Sequence, residues 1–177
     1  LTSAVASGCL AIVGYDIATS RRADTEAVLR SAGGTSLGPE PGEAWLRGRF
    51  HAPYLRDALL DVGALAETVE TAIFWSGLDG LYQAVRDALI TSLDEQGTPP
   101  IVLCHVSHVY PEGASLYFTV VCAQSEDPIA QWRQAKDAAN AAIHKAGGTI
   151  THHHGVGVDH AVGLVEEIGP LAIDALR

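Results

Sequence analysis

Ile101-Val-Leu-Cys-His-Val-Ser-His-Val-Tyr-Pro-Glu-Gly-Ala-Ser-Leu-Tyr-Phe-Thr-Val-Val-Cys-Ala123 decides the fold class. Ile101 to Tyr110 and Ser115 to Ala123 are rich in β-branched and aromatic residues. Pro111 to Ala114 between them is turn chemistry, so the stretch reads as a hairpin of two antiparallel strands. Upstream, Leu78, Leu81, Val85, Leu89 and Leu93 recur at helical spacing until Gly97, behind a capping box of Ser76 and Asp79. Ala64 to Trp75, with its Thr, Val, Ile and Phe, reads as the strand before that helix. Downstream, Asp127 caps a helix that has Pro128 at its first position. Its apolar face is Trp132, Ala135, Ala139, Ala142, Ile143 and Ala146, and Gly147-Gly148 ends it. Thr149 begins a short strand that enters a glycine-punctuated loop, and Val162 to Ile168 is a helical piece. Strand, helix, hairpin, helix and strand in that order predict an α+β fold, a ferredoxin-like antiparallel sheet with helices packed on one face.

Working outward to the N-terminus, Cys9 to Tyr15 reads as a further strand, and Thr19 or Ser20 caps a helix that runs to Gly33-Gly34. Thr35 to Gly48 is a connector broken by Gly38-Pro39 and Pro41-Gly42, with one helical turn at Glu43 to Gly48. Pro53 opens a short helix carrying Tyr54, Arg56 and Asp57, and Gly63 is the turn into the next strand. The chain of 177 residues is treated as one domain, 1–177. It begins without methionine and stops at Asp174 to Arg177 in an uncapped helix, which reads as a piece of a longer protein.

Composition limits the function. With 47% hydrophobic and 18% charged residues the chain can build a core. A net charge of −10 with only two lysines, Lys136 and Lys145, leaves no basic stripe for nucleic acid. No apolar run approaches the ~20 residues of a membrane helix, so no integral membrane segment is expected. Cys9, Cys104 and Cys122 are isolated from one another, which argues against a disulfide framework and for a reducing, cytoplasmic setting. Nine arginines beside those two lysines hint at a GC-rich bacterial genome. A homodimer is an allowed assembly.

His152-His-His-Gly155 is the least ordinary feature, since adjacent imidazoles concentrate groups that titrate near neutral pH. In an extended segment His152 and His154 face one side and His153 the other. A solvated polar loop is the plain alternative, but Gly155 and Gly157 suit close approach of the backbone to a ligand. A metal site would pair His152 with His154 and add Asp159 or His160, without any diagnostic spacing in support. Gly155-Val-Gly157 is only part of a dinucleotide fingerprint, because His160 stands where a third glycine belongs. Ser107 or Ser115 could head a Ser/His/Asp triad, yet no nucleophile elbow is present. Alternation puts Tyr117 on the face opposite Leu116 and Phe118. His105 and His108, three apart on a strand, are expected on opposite sides as core or edge histidines. The plain reading of Arg56 is a surface ion pair with Asp57 or Glu70.

Four blocks in order, Ala52-Pro-Tyr-Leu-Arg-Asp57, Glu67-Thr-Val-Glu-Thr71 with Trp75, Gly113-Ala-Ser-Leu-Tyr-Phe-Thr119 and Gly147-Gly-Thr-Ile-Thr-His-His-His-Gly-Val-Gly157, resemble the C-terminal half of the alkyldihydroxyacetonephosphate synthases. These belong to the FAD-linked oxidases of the vanillyl-alcohol oxidase type. The resemblance implies a cap domain lying over a flavin held mainly by an N-terminal domain that this chain lacks, so that the chain alone would be inactive. It implies exchange of the acyl chain of acyl-dihydroxyacetone phosphate for a fatty alcohol in ether lipid synthesis, without net redox change. It also implies a membrane-peripheral place for the complete protein. By the same resemblance Tyr117 is the acid/base tyrosine, and His152, His153 and His154 are the catalytic histidines. His153, His154 and Gly155 face the FAD, and Arg56 grips the substrate phosphate. The alternative within the superfamily is oxidation of a 2-hydroxy acid, with Arg56 on a carboxylate and a histidine taking the hydroxyl proton. A metal- or ligand-binding module without a flavin is the alternative from another class.

Overall fold

A computed structural model describes residues 19–176, so the strand expected at Cys9 to Tyr15 lies outside the described residues, as do the side chains of Thr19 and Ser20. The chain divides into two compact units, 1–55 and 56–177. The first holds α1 (Thr19–Ser31) and α2 (Glu40–Gly48). The helical turn expected near Glu43 thus begins at Glu40, with proline in its first turn. After α2, the Arg49 guanidinium lies over the Phe50 ring at 4.6 Å. Helix α3 (Ala52–Asp61) begins one residue before Pro53, and Arg56, where the second unit starts, is on it.

The second unit carries β1 (Ala64–Phe74), α4 (Leu78–Glu95), β2 (Ile101–Val109), β3 (Gly113–Ala123), α5 (Pro128–Ala146) and α6 (Gly157–Ala175). The three strands form an antiparallel sheet in the order β1-β3-β2. Val69, Phe118 and Cys104 share one row of the register, and the flanking row holds Thr71, Leu116 and Val106. This face receives Leu81, Val85, Leu89 and Leu93 of α4 and Ala135, Ala139 and Ile143 of α5, and together they form the core. Each large side chain buried there stabilises the fold by about 1.5–3 kcal/mol. The helices pack on one face of the sheet, as the sequence pattern predicts.

Local chemistry explains the boundaries. Asp127 accepts a hydrogen bond from Ala130 N at 3.0 Å and starts α5. Gln131, 1% exposed, ties that start to the sheet by donating to Thr98 Oγ1 at 2.8 Å and Ala123 O at 2.9 Å. Gly113 opens β3 so close to Ile73 and Phe74 that a side chain there would meet their backbone.

Three expectations change. The capping box of Ser76 and Asp79 does not form, because Trp75 to Gly77 make a 3-10 turn and α4 starts on Gly77 without a side-chain cap. The Trp75 indole N–H, shared by the carbonyls of Tyr110 and Pro111 at 3.2 and 3.1 Å, holds the chain in that turn. A regular fourth strand after Gly148 is absent among the described residues. Thr149 N donates to Ala72 O at 3.0 Å, but the Ile150 N–H that would continue a ladder goes instead to Glu167 Oε2 at 2.7 Å. The helical piece at Val162 to Ile168 extends over all of α6, interrupted only at Gly169 before Pro170. Gly163 fits inside it because α6 packs directly on Ile150, where a Cβ would strike the isoleucine side chain. Among the described residues no helix is long and apolar enough to cross a membrane.

Candidate functional site

The face of the sheet away from the core carries the polar cluster. Glu70, Tyr117 and His105 form one row of the register, with Tyr117 on the side opposite Leu116 and Phe118 as alternation requires. Ser115 is one row further. There β2 bulges: Val106 pairs with Leu116 and Val109 with Ala114, so Ser107 and His108 together oppose Ser115. The bulge overturns the expectation that His105 and His108 point to opposite sides. It turns His108 toward the cluster, where its backbone N–H donates to Ser115 Oγ at 3.0 Å.

Glu70 is the centre of the site and is only 4% exposed. Its Oε1 accepts from Ser107 Oγ at 2.6 Å and faces His152 Nδ1 at 3.3 Å and His108 Nδ1 at 3.5 Å. Its Oε2 lies 3.1 Å from His154 Nε2. Burial by itself pushes the Glu70 carboxyl up, but hydrogen bonds from Ser107, His152 and Ser115 and the charge of His154 together hold it below the ordinary glutamate range. A buried carboxylate surrounded by donors in this way stays ionised at neutral pH.

The loop after α5 folds across this carboxylate. Thr71 Oγ1 donates to Thr149 O at 2.6 Å, Ile150 enters the core at 2% exposure, and the next residues bring the three histidines over the opposite face. His153 is the only non-glycine residue with positive φ among the described residues, at 60°. This left-handed turn replaces the expected extended alternation and sets the rings of His152 and His153 4.1 Å apart. The His153 ring also lies 4.5 Å from that of His108. Tyr110 at the hairpin tip places its hydroxyl 3.2 Å from His152 Nε2 and 3.5 Å from His153 Nε2. The His154 ring meets Tyr117 edge-on at 5.6 Å.

Four of the residues singled out in the sequence, Tyr117, His152, His153 and His154, are therefore brought together, and Gly155 follows in the left-handed region at φ 74°. Arg56 has other partners. Its Nε donates to Ala66 O at 3.1 Å and its NH2 group pairs with Glu67, not with the expected Asp57 or Glu70. Glu67 and Glu70 are three apart on β1 and so lie on opposite faces. His160 is buried and bonded to Val156 O at 3.0 Å, so the expected grouping of His152 and His154 with Asp159 or His160 does not form. Its imidazole is held below the usual histidine range by burial and by the nearby Lys136 charge. The Ser107 hydroxyl lies 2.6 Å from Glu70 Oε1 and 3.2 Å from His108 Nδ1, and that one ring nitrogen is shared with Ser115 Oγ at 3.3 Å and Glu70 at 3.5 Å. Serine, imidazole and carboxylate thus form a shared cluster and not the linear chain of a Ser/His/Asp triad. Sequence pattern does not mark Glu70, His108 or Tyr110 as site residues, and it offers Ser115 only as the head of a hydrolase triad, whereas here its hydroxyl supports the cluster by accepting from His108 N. The Glu67-Thr-Val-Glu-Thr71 block held the one available signal, a carboxylate on the same face as Tyr117.

Residues 4–177 match the family described as FAD linked oxidases, C-terminal domain. Alkyldihydroxyacetonephosphate synthase of Dictyostelium discoideum is 32% identical over 157 residues, which is 86% of this chain and 26% of that protein. The protein of the same name from Trypanosoma brucei brucei is 29% identical over 172 residues, 94% of this chain and 28% of that protein. A solved alkyldihydroxyacetonephosphate synthase structure superposes with a TM-score of 0.62 at 26% identity, covering 84% of this chain and 27% of that one. The chain thus spans about a quarter of the length of these relatives.

Proposed function

The chain belongs to the FAD-linked oxidase C-terminal domain family, and on that premise we propose that residues 1–177 are the substrate-facing cap of a flavoenzyme of the alkyldihydroxyacetonephosphate synthase type. Its reaction would exchange the acyl chain of acyl-dihydroxyacetone phosphate for a fatty alcohol. The bond from the dihydroxyacetone carbon to the acyl oxygen breaks, the alcohol oxygen forms the ether bond, and the alcohol proton leaves with the fatty acid. The observation that carries this reading is the line from Glu70 Oε2 through His154, at 3.1 Å, to the ring of Tyr117 at 5.6 Å.

In this reading the Tyr117 hydroxyl takes or gives the proton at the reacting carbon. His154 beside it, backed by the Glu70 carboxylate, is where the compensating positive charge is held. His152, bonded to Glu70 on one nitrogen and Tyr110 on the other, fixes the loop and offers a second proton path. The donor set also fits a flavin. His153 and His154 are exposed above a buried carboxylate, and Gly155 lets the backbone come close to a planar ring. FAD supplies an electron-accepting ring that no side chain can replace. Arg56, the residue the family resemblance assigns to the substrate phosphate, is held by Ala66 O and paired with Glu67 on the face of β1 opposite Glu70 and Tyr117. The cluster around Tyr117 therefore carries this reading, and a phosphate would reach Arg56 only if its guanidinium left Glu67.

The test is ether-product formation from acyl-dihydroxyacetone phosphate and a long-chain alcohol by the complete flavin-loaded protein that carries this domain. Tyr117→Phe should lower turnover by about 10²–10⁴-fold. Unchanged turnover would remove Tyr117 from this role. Flavin reduction by simple 2-hydroxy acids, without ether product, would assign the protein to the oxidase branch instead.

A further inference from the structure

We propose that His108, His152 and His153 form a binding site for a divalent transition-metal cation of the zinc type, supported from behind by Glu70, Ser107 and Ser115. Among the described residues, the ligating nitrogens of these three histidines all come within 4.8 Å of one another. Neutral imidazole is the common nitrogen ligand of such cations, and three of them with one open position make a tetrahedral site. Two local distortions create the convergence. The bulge on β2 turns His108 toward the loop, and the left-handed backbone of His153 turns its ring toward His152. A non-glycine residue in that region costs on the order of 1–3 kcal/mol, and His153 is exposed, so core burial does not offset that cost.

The second nitrogens of the rings give the independent argument. His152 Nδ1 faces Glu70 Oε1 at 3.3 Å, and His108 Nδ1 faces Ser115 Oγ at 3.3 Å and the same carboxylate oxygen at 3.5 Å. A metal-bound histidine has its other nitrogen held in this way by a carboxylate or hydroxyl, which fixes the tautomer and leaves the Nε2 lone pair pointing outward. The Nε2 atoms of His152 and His153 both approach the Tyr110 hydroxyl, at 3.2 and 3.5 Å, so that oxygen marks where they converge. A bound cation would exchange those hydrogen bonds for coordination, with the phenol oxygen or a water as fourth ligand. Nitrogens about 2.0–2.1 Å from one ion stand closer together than 4.8 Å, so binding requires the exposed His108 and His153 rings to turn inward toward His152. His154 is outside the set, since its Nε2 is on the other Glu70 oxygen beside Tyr117. The metal titration needs neither flavin nor substrate, so its outcome is read separately from the proposed reaction, although a bound cation would use His152 and His153, which that reaction gives to the second proton path and the flavin-facing loop.

The experiment is a zinc titration of the purified 177-residue chain, made without a histidine tag, against a chromogenic chelator, with Co²⁺ as a spectroscopic probe. The expected result is one ion per chain with Kd at or below about 10 μM, and visible Co²⁺ bands of four-coordinate intensity. His108→Ala and His153→Ala should each weaken binding at least about tenfold, and Glu70→Gln should do so by about 10–100-fold. His144→Ala, on α5, should leave it unchanged. Far-ultraviolet circular dichroism verifies that each variant is folded, and the exposed position of His153 makes that variant the safest. Absence of binding at about 100 μM zinc, or binding that His108→Ala and His153→Ala leave intact, overturns the proposal.

Discussion

Replacing Glu70 with glutamine tests the centre of the site, because it keeps the shape and removes the charge. The carboxylate has two close partners, Ser107 Oγ at 2.6 Å and His154 Nε2 at 3.1 Å, and two longer ones, His152 Nδ1 at 3.3 Å and His108 Nδ1 at 3.5 Å. Hydrogen bonds to a charged group contribute about 1.5–3 kcal/mol each, and only the two close contacts have good length. The glutamine oxygen can keep one of them, while its NH2 group meets hydroxyl and imidazole groups that were donors. The expected net loss is therefore about 2–3 kcal/mol at pH 7. Urea denaturation followed by tryptophan fluorescence reads it as a fall of about 1–2 M in midpoint. The pH dependence provides a second reading. A carboxyl held below its unfolded value stabilises the folded state above that value, 4.5, and the contribution is lost as pH falls through the folded pKa. The parent chain should thus lose stability on acidification below about pH 5, and Glu70→Gln should show a flatter acid limb. A variant within about 0.5 kcal/mol of the parent, with the same acid limb and unshifted imidazole resonances for His152 and His154, would refute the assignment of Glu70 as the organising charge.

Two further outcomes follow from burial. Phe118 is fully buried and its ring stacks on Tyr82 at 6.1 Å, so Phe118→Ala should cost about 3–5 kcal/mol, read by thermal denaturation; a loss below about 1 kcal/mol would mean the core recloses around the gap. Burial pushes the Cys104 thiol up to about 12. Site-resolved mass spectrometry should find Cys104 unmodified by iodoacetamide at pH 8 while the chain is folded and modified once it is unfolded. The stability from the neutral thiol is complete below pH 9.0 and is lost as pH rises toward 12.

Much of the fold could be read along the chain because local rules decide it. The hairpin follows from Pro111 to Ala114 between two β-branched runs, the start of α5 from Asp127 and Pro128, and the core face of α4 from leucines at helical spacing. The capping box failed for a non-local reason, since Trp75 is held by carbonyls 35 and 36 residues away. The fourth strand failed similarly, because Glu167 takes the Ile150 N–H from 17 residues further on.

The sequence by itself determined the order of the elements, the side of β3 on which Tyr117 stands, and the histidine block that marks the family. Only the tertiary structure decided which groups those histidines meet. The bulge that recruits His108 is a property of the pairing of β2 with β3, and alternation within one strand carries no trace of it. Glu70 and Glu67 are the same residue type three positions apart on one strand. One becomes a buried charge under imidazoles 82 and 84 residues away, and the other pairs with Arg56. A carboxylate's role is set by the donors that reach it and the water excluded from it, and both depend on contacts that form only when distant segments pack together.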